Sequence, residues 1–229
     1  MNFATFEEKT GIVFKNKDLL KQAFIHRSYI NENKGSNLEH NERLEFLGDA
    51  VLELIVTEYL YEKYPRQDEG ELTSYRSALV NAVTLSKIAS DLGMNDFLLL
   101  SKGEAKDKGR ARQYILANTF ESFVGAIFLD QGYAGALKFT KNFLLKQTEK
   151  IIKEGKTADA KSLFQEKAQD VVGITPAYKT IKEDGPDHDR HFTVGIFLGA
   201  EKVATGSGKS KQEAEQDAAR NGLESKKWR

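Results

Sequence analysis

Between residues 44 and 60 the chain has no proline, one glycine and a dense run of helix formers, which predicts a helix. Leu44, Leu47, Val51 and Leu54 recur at helical spacing on one face, and Phe46, Ala50 and Ile55 cover much of the rest. A helix apolar on so many sides is expected to be buried. It should run to about Lys63 and stop before Pro65, because the residue preceding proline is pushed out of the helical region. A second largely apolar helix is predicted over 114–129. Gln131-Gly132 should end it, since glycine tolerates the positive φ of a helix cap. Around these two, the pattern predicts short helices over 3–30 and a polar connection over 31–36. It also predicts a helix opening at Glu69, with Leu72, Tyr75, Leu79 and Val83 in helical register. A Lys/Gly-rich loop is expected at 101–109 and an amphipathic helix at 133–152.

After residue 160 the pattern changes. Helical segments at 161–172 and 209–225 flank three runs rich in Thr, Val, Ile, Phe and Tyr, at 177–183, 190–198 and 202–206. Such runs predict strands, and Gly185-Pro186-Asp187 predicts a turn between the first two. The polar stretch 153–159 reads as a short flexible linker. The expected organisation is an all-α domain at 1–152, a linker at 153–159 and a small α+β domain of order α-β-β-β-α at 160–229.

Composition narrows the class without choosing a function. A hydrophobic content of 40% and a charged content of 30% fit a globular protein. No apolar run approaches the ~18 residues of a membrane span, so no membrane partner is expected. The N-terminus lacks the basic-then-apolar order of a signal peptide. Cysteine is absent, which excludes disulfides and is compatible with a reducing cytoplasm. Lys+Arg and Asp+Glu are both 34, so the chain is not generally basic. A nucleic-acid protein remains compatible if an acidic site offsets basic patches.

The acidic residues are where chemistry enters. Glu42, Glu45 and Asp49 stand at i, i+3 and i+7 and form a stripe along the first apolar helix. On the second, Asn118 and Glu121 share a face at i, i+3. Carboxylates set among apolar positions repel one another and lose hydration unless a cation compensates, and a hard divalent ion with oxygen ligands suits them. A solvated helix face explains the same spacing equally well, so spacing alone leaves both readings open.

The run Asn41-Glu42-Arg43-Leu44-Glu45-Phe46-Leu47-Gly48-Asp49-Ala50-Val51-Leu52 resembles the signature of the ribonuclease III family of double-stranded-RNA endonucleases. Phe24-Ile25-His26-Arg27-Ser28-Tyr29 resembles a second family patch, in which His26 reads as a packed or hydrogen-bonded helix residue. The segment from Ala160 resembles a double-stranded-RNA-binding domain through all five elements. The resemblance implies hydrolysis dependent on Mg²⁺, with Mn²⁺ able to substitute and no organic cofactor. It implies metal ligation by Glu45, Asp49, Asn118 and Glu121, with Asp49 and Glu121 catalytic. It implies RNA contacts from Gln165, Glu166, His188, Lys209, Ser210 and Lys211. It implies a homodimer whose subunits each cut one strand, in the processing of ribosomal precursors and other transcripts. Asn118 departs from the family, which has Asp there, and Gln212 stands where a second basic residue is usual. The alternative is a duplex-RNA-binding regulator whose nuclease scaffold is catalytically weakened.

Overall fold

Two long helices, α4 (Glu42–Lys63) and α8 (Arg110–Phe143), cross at the centre of the first of two units, Met1–Ile152 and Lys153–Arg229. The computed structural model describes residues 2–228 except 36, 107–108, 159 and 187–189, and over 154–158 the backbone alone. Around the crossing lie α1 (Ala4–Thr10), α2 (Lys17–Gln22), α3 (Arg27–Glu32), α5 (Glu69–Leu79), α6 (Ala82–Asp91), α7 (Lys102–Lys106) and α9 (Thr148–Ala158). The buried side of α4 consists of Leu44, Gly48, Val51, Leu52, Ile55, Val56 and Leu60. Phenylalanines dominate the centre. Phe123 meets Phe6 at 5.2 Å, Phe139 at 5.0 Å and Phe14 at 5.5 Å between ring centroids. Each fully buried ring contributes about 1.5–3 kcal/mol by leaving water.

Backbone pairing locks the start of α4 to the chain before it. Asn41 donates its backbone N–H to the Ile25 carbonyl at 2.8 Å and its side-chain amide to the Ala23 carbonyl at 3.2 Å. Leu99 donates to Phe24 at 2.8 Å, and His26 donates to Leu99 at 3.0 Å. His26 also caps α3, its ring nitrogen accepting from the Ser28 N–H, so it is a hydrogen-bonded residue as expected.

The second unit is a three-stranded antiparallel sheet in the order β1 (Ala177–Asp184), β2 (His191–Leu198), β3 (Glu201–Gly208). Helices α10 (Ala160–Val172) and α11 (Lys211–Lys226) share a core with it, made of Phe164, Ala168, Ile196, Leu198, Ala218 and Ala219. The expected all-helical unit followed by an α-β-β-β-α module is what the chain forms.

Local expectations fail at the joints. The helical register running from Leu72 to Val83 breaks because Asn81 caps α6, its side chain accepting from the Thr84 N–H, and Val83 is left exposed. The loop expected at 101–109 contains α7, which Ser101 caps by accepting from Glu104 N–H at 3.2 Å. Helix α8 starts at Arg110 rather than Tyr114. Its regular run ends at Gly132 as expected, where φ is 70°. The helix expected over 133–152 is divided by a 3-10 turn at Leu145–Gln147. The segment 153–158, read as a flexible linker, continues α9 because it contains no proline and several helix formers. Residue 159 lies outside the described residues. Among the described residues no helix is long and apolar enough to cross a membrane.

Candidate active site

Glu45 and Asp49 lie one turn apart on α4, and Asn118 and Glu121 one turn apart on α8. Glycine brings the two pairs together. A Cβ on Gly48 would lie 1.8 Å from the Glu121 carbonyl oxygen, and one on Gly125 would lie 2.2 Å from the Leu44 carbonyl oxygen. Neither position admits any side chain while the helices stay this close. Buried Ser122 sits in the same crossing. Its hydroxyl donates to the Asn118 carbonyl at 2.7 Å and lies 3.4 Å from the Asn41 carbonyl, which also receives the Glu45 N–H at 2.9 Å. Sequence reading missed Ser122, Gly48 and Gly125 as parts of the site. The one available signal was glycine inside strongly helical runs.

The electrostatics follow from this closeness. Burial, then the charges of Asp49 and Glu45, push the Glu121 carboxyl up to about 8. Burial, then Glu42 and Asp49, raise Glu45 above the usual carboxylate range, while a hydrogen bond from the Asn118 side chain opposes that rise. Burial and the neighbouring like charges both favour the protonated form of Glu121. From 115 to 127, Asn118 and Glu121 are the only residues of α8 that are not buried.

The donors are oxygen atoms only: three carboxylates and an amide carbonyl. Among the described residues no group of three or more His, Cys, Asp or Glu side chains is arranged to hold a metal ion. The carboxylates sense one another's charge without forming a closed cage. These oxygen groups fit a hard divalent cation, whose charge would favour ionised Glu121 against its burial and the charges of Asp49 and Glu45.

The rest of the carboxylate stripe does other things. Glu42 lies 3.7 Å from both Arg27 and His40 at the mouth of the crossing, and Glu53 is exposed. Arg76 of α5 donates to Thr57 of α4 at 3.1 Å. Glu69 is exposed at the start of α5.

In the second unit Gln165 and Glu166 are exposed on α10, beside buried Phe164. Ser210 caps α11 by accepting from Glu213 N–H at 3.1 Å, and Glu213 accepts from Lys209 N–H at 2.9 Å. The Lys209 and Lys211 side chains are exposed at that helix start, with Lys211 paired to Glu183 at 2.8 Å. That pairing partner was not foreseen. His188, assigned to the turn before β2, lies outside the described residues.

The class these features define is a helical nuclease unit, with its acidic residues on two crossing helices, followed by an RNA-binding module. The family model for Ribonuclease-III-like domains matches residues 16–148, and that for the double-stranded RNA binding motif matches 160–226. The chain is 44% identical over 219 residues to Ribonuclease 3 of Enterococcus faecalis, covering 96% of this chain and 95% of that one. It is 45% identical over 216 residues to Ribonuclease 3 of Borreliella burgdorferi, covering 93% and 87%. The solved nuclease domain of the Campylobacter jejuni enzyme is 39% identical, with a TM-score of 0.58, covering 63% of this chain and 97% of that one. The chain belongs to the ribonuclease III family and is an endoribonuclease acting on double-stranded RNA. That family is metal-dependent.

Proposed function

We propose that the chain uses Mg²⁺ to hydrolyse double-stranded RNA to 5′-phosphate and 3′-hydroxyl ends with short 3′ overhangs. Its role would be the processing of ribosomal precursors and other structured transcripts in the cytoplasm. The observation that carries this reading is the glycine crossing at Gly48 and Gly125, which brings Glu45 and Asp49 of α4 to Asn118 and Glu121 of α8. Glu45, Asp49, Glu121 and the Asn118 carbonyl would hold the ion, and Mn²⁺ would substitute. When bound, the metal would supply an activated water and positive charge to offset that of the phosphate. Glu121 would be held ionised by that charge. Asn118 keeps Glu45 oriented through its amide while adding no fourth negative charge. Asp49, exposed at the rim, and Glu121 are the residues on which hydrolysis depends.

The second unit would supply affinity by reading A-form shape. Gln165 and Glu166 would reach 2′-hydroxyls, His188 would enter the next minor groove, and Lys209, Ser210 and Lys211 would meet phosphate. Domain limits of 1–152 and 160–229 suit this division of labour.

A homodimer fits the surface of the first unit. Phe46 is 82% exposed, as are Leu54 and Tyr61 in large part, all on the outer side of a helix expected to be buried. Phe46 lines a cavity of about 600 Å³ together with Leu19, Leu44, Leu47 and Leu129 and with the polar Gln22, Glu39, His40, Glu42 and Arg43. Pairing two copies through this helix would cover Phe46 and set two sites on one duplex, one for each strand. The Campylobacter jejuni structure is described as having a region involved in dimer formation.

The test is incubation with long duplex RNA across a Mg²⁺ titration, followed by sizing of products and assignment of their end groups. Short duplex products with 5′-phosphates are expected. Asn118 favours the second reading, a binding regulator on a weakened scaffold. RNA binding with no cleavage at any Mg²⁺ or Mn²⁺ concentration would establish that reading instead.

A further inference from the structure

The sheet of the second unit is covered on one face only. Helices α10 and α11 share a core with Tyr178, Ile196 and Leu198. Side chains alternate along a strand, so Lys179, Thr193, Gly195 and Phe197 belong to the opposite face. Every residue of β1 except Tyr178 is exposed, and among the described residues nothing covers that face. At its centre two apolar side chains close over a glycine. A Cβ on Gly195 would lie 2.8 Å from Ile181 Cδ1 and 2.9 Å from Phe197 Cε2. Ile181 stands at a register shift between Thr180 and Lys182 and is 50% exposed. Lysines flank the pair. Lys179 sets its Nζ 5.1 Å from the Phe197 ring centroid, and Lys202 pairs opposite Phe197 on β3. Lys182, opposite Thr193, is matched by Asp184 at 2.6 Å. Glu183 and Glu201 turn to α11, where they pair with Lys211 and Lys226. Among the described residues Lys179 and Lys202 have no ion pair, so the unmatched charge of this face is positive.

We propose that this face docks an acidic protein segment that carries an apolar side chain. The apolar group covers Ile181 and Phe197, and the carboxylates meet Lys179 and Lys202. A single exposed isoleucine is ordinary surface. Here it is held against an aromatic ring, at the centre of a face whose unmatched charges have one sign. RNA is the rival polyanion. The groups assigned to RNA above lie on α10 and at the start of α11, on the helix side of the sheet, where Lys211 stands 5.6 Å from the Phe192 ring centroid. A duplex held there leaves the outer face free. Lys179 also occupies the ring face of Phe197 that an unpaired base would need for stacking. The docked segment and the duplex therefore bind together, on opposite faces of one sheet.

The full chain tests this by fluorescence anisotropy with a short fluorescein-labelled peptide of Asp and Glu around a central Leu-Phe pair. Saturable binding is expected, equal with and without bound duplex RNA. Ile181→Asp, and Lys179→Ala combined with Lys202→Ala, should each raise the peptide Kd roughly tenfold or more, as loss of a central anchor does. Both should keep wild-type melting temperature and duplex-RNA affinity. Ile181→Thr keeps the β-branched shape that suits a strand and should weaken the peptide in the same direction, which covers the case in which Asp disturbs the fold. The same peptide with Lys in place of its acids should not bind. Absence of saturable binding to wild type would overturn the surface, and so would a wild-type Kd in the variants. Displacement of the peptide by duplex RNA, or weakened RNA binding by Ile181→Thr, would assign the face to nucleic acid and overturn the proposal. Assembly of the wild-type chain beyond a dimer, abolished by Ile181→Thr, would assign it to a second copy and overturn the proposal equally.

Discussion

The Gly48 Cα lies so close to Glu121 that a Cβ on it would stand 1.8 Å from the Glu121 backbone carbonyl oxygen. The helix that carries Glu45 and Asp49 thus rests directly on the backbone of the helix that carries Glu121. The separation of the carboxylates is set by backbone against backbone, with no side chain between to yield. Gly125 makes the reciprocal contact with Leu44.

Gly48→Ala and Gly125→Ala should each force α4 and α8 apart. The overpacking cost is expected at or above ~3 kcal/mol, the upper end for inserted methylenes. Each kcal/mol corresponds to about 2–4 °C in Tm for a chain of this size. Duplex-RNA cleavage should fall further than stability does. Thermal unfolding and cleavage assays on the same preparations check this, and near-normal activity with a normal Tm would refute it.

Glu121→Gln should abolish cleavage while leaving duplex binding nearly intact, since one charge is lost and little surface changes. It should also change how stability depends on pH. Glu121 has a folded pKa of about 8 against an ordinary 4.5. The folded state therefore binds more protons between these values, so the stability from protonated Glu121 is present below 4.5 and lost as pH rises through 8. Without metal, the Gln variant should match wild type at acid pH and melt a few degrees higher at alkaline pH, roughly 2–4 °C per kcal/mol of relief. Melting curves in chelator at both pH values decide the point.

Asn118→Asp should lower the Mg²⁺ concentration for half-maximal cleavage. The expected change is roughly tenfold, the low end for altered metal partners. The saturated rate should change little, because ligand charge count governs affinity for hard cations more than it governs the bound chemistry. Metal titration of both proteins on one duplex tests this. A silent wild type switched on by Asp would instead mark Asn118 as an inactivating change.

Removing residues 160–229 should leave the first unit folded, because its aromatic core is internal to Met1–Ile152. Cleavage by the truncated chain should become weak and steeply salt-sensitive, as fewer phosphate contacts remain. Comparing intact and truncated chains between ~50 and ~200 mM salt measures this. Equal activity at the higher salt would exclude the second unit as the RNA anchor.

The chain has one tryptophan, Trp228, whose ring lies 5.1 Å from Phe164 in the core of the second unit. Its fluorescence should follow unfolding of that unit alone, while far-UV circular dichroism, which reports secondary structure, follows both. Trp228→Ala should destabilise the second unit by about 2 kcal/mol, below the ~3–5 of a fully buried ring because Trp228 is half-buried. Coincident transitions by the two probes would show that the units unfold together.

Residue order alone carried the helices, the change to an α+β module after residue 160, and the acidic pairs one turn apart, because these depend on neighbours within a few positions. The signature run and the RNA-binding pattern pointed to the family for the same reason. What local order could not carry lies in contacts between distant segments. Gly48 reads as a helix-weakening residue until α8 is laid against it, and Ser122 reads as a core serine until Asn41 and Asn118 converge on it. The rise of the Glu121 pKa depends on burial and on charges from another helix, both properties of the crossing and not of the chain around it. Phe46 shows the same division: periodicity makes it part of an apolar helix, and only packing decides that it faces outward. Local sequence specifies which residues share a helix face, but the distance between two faces is a property of the packed tertiary structure.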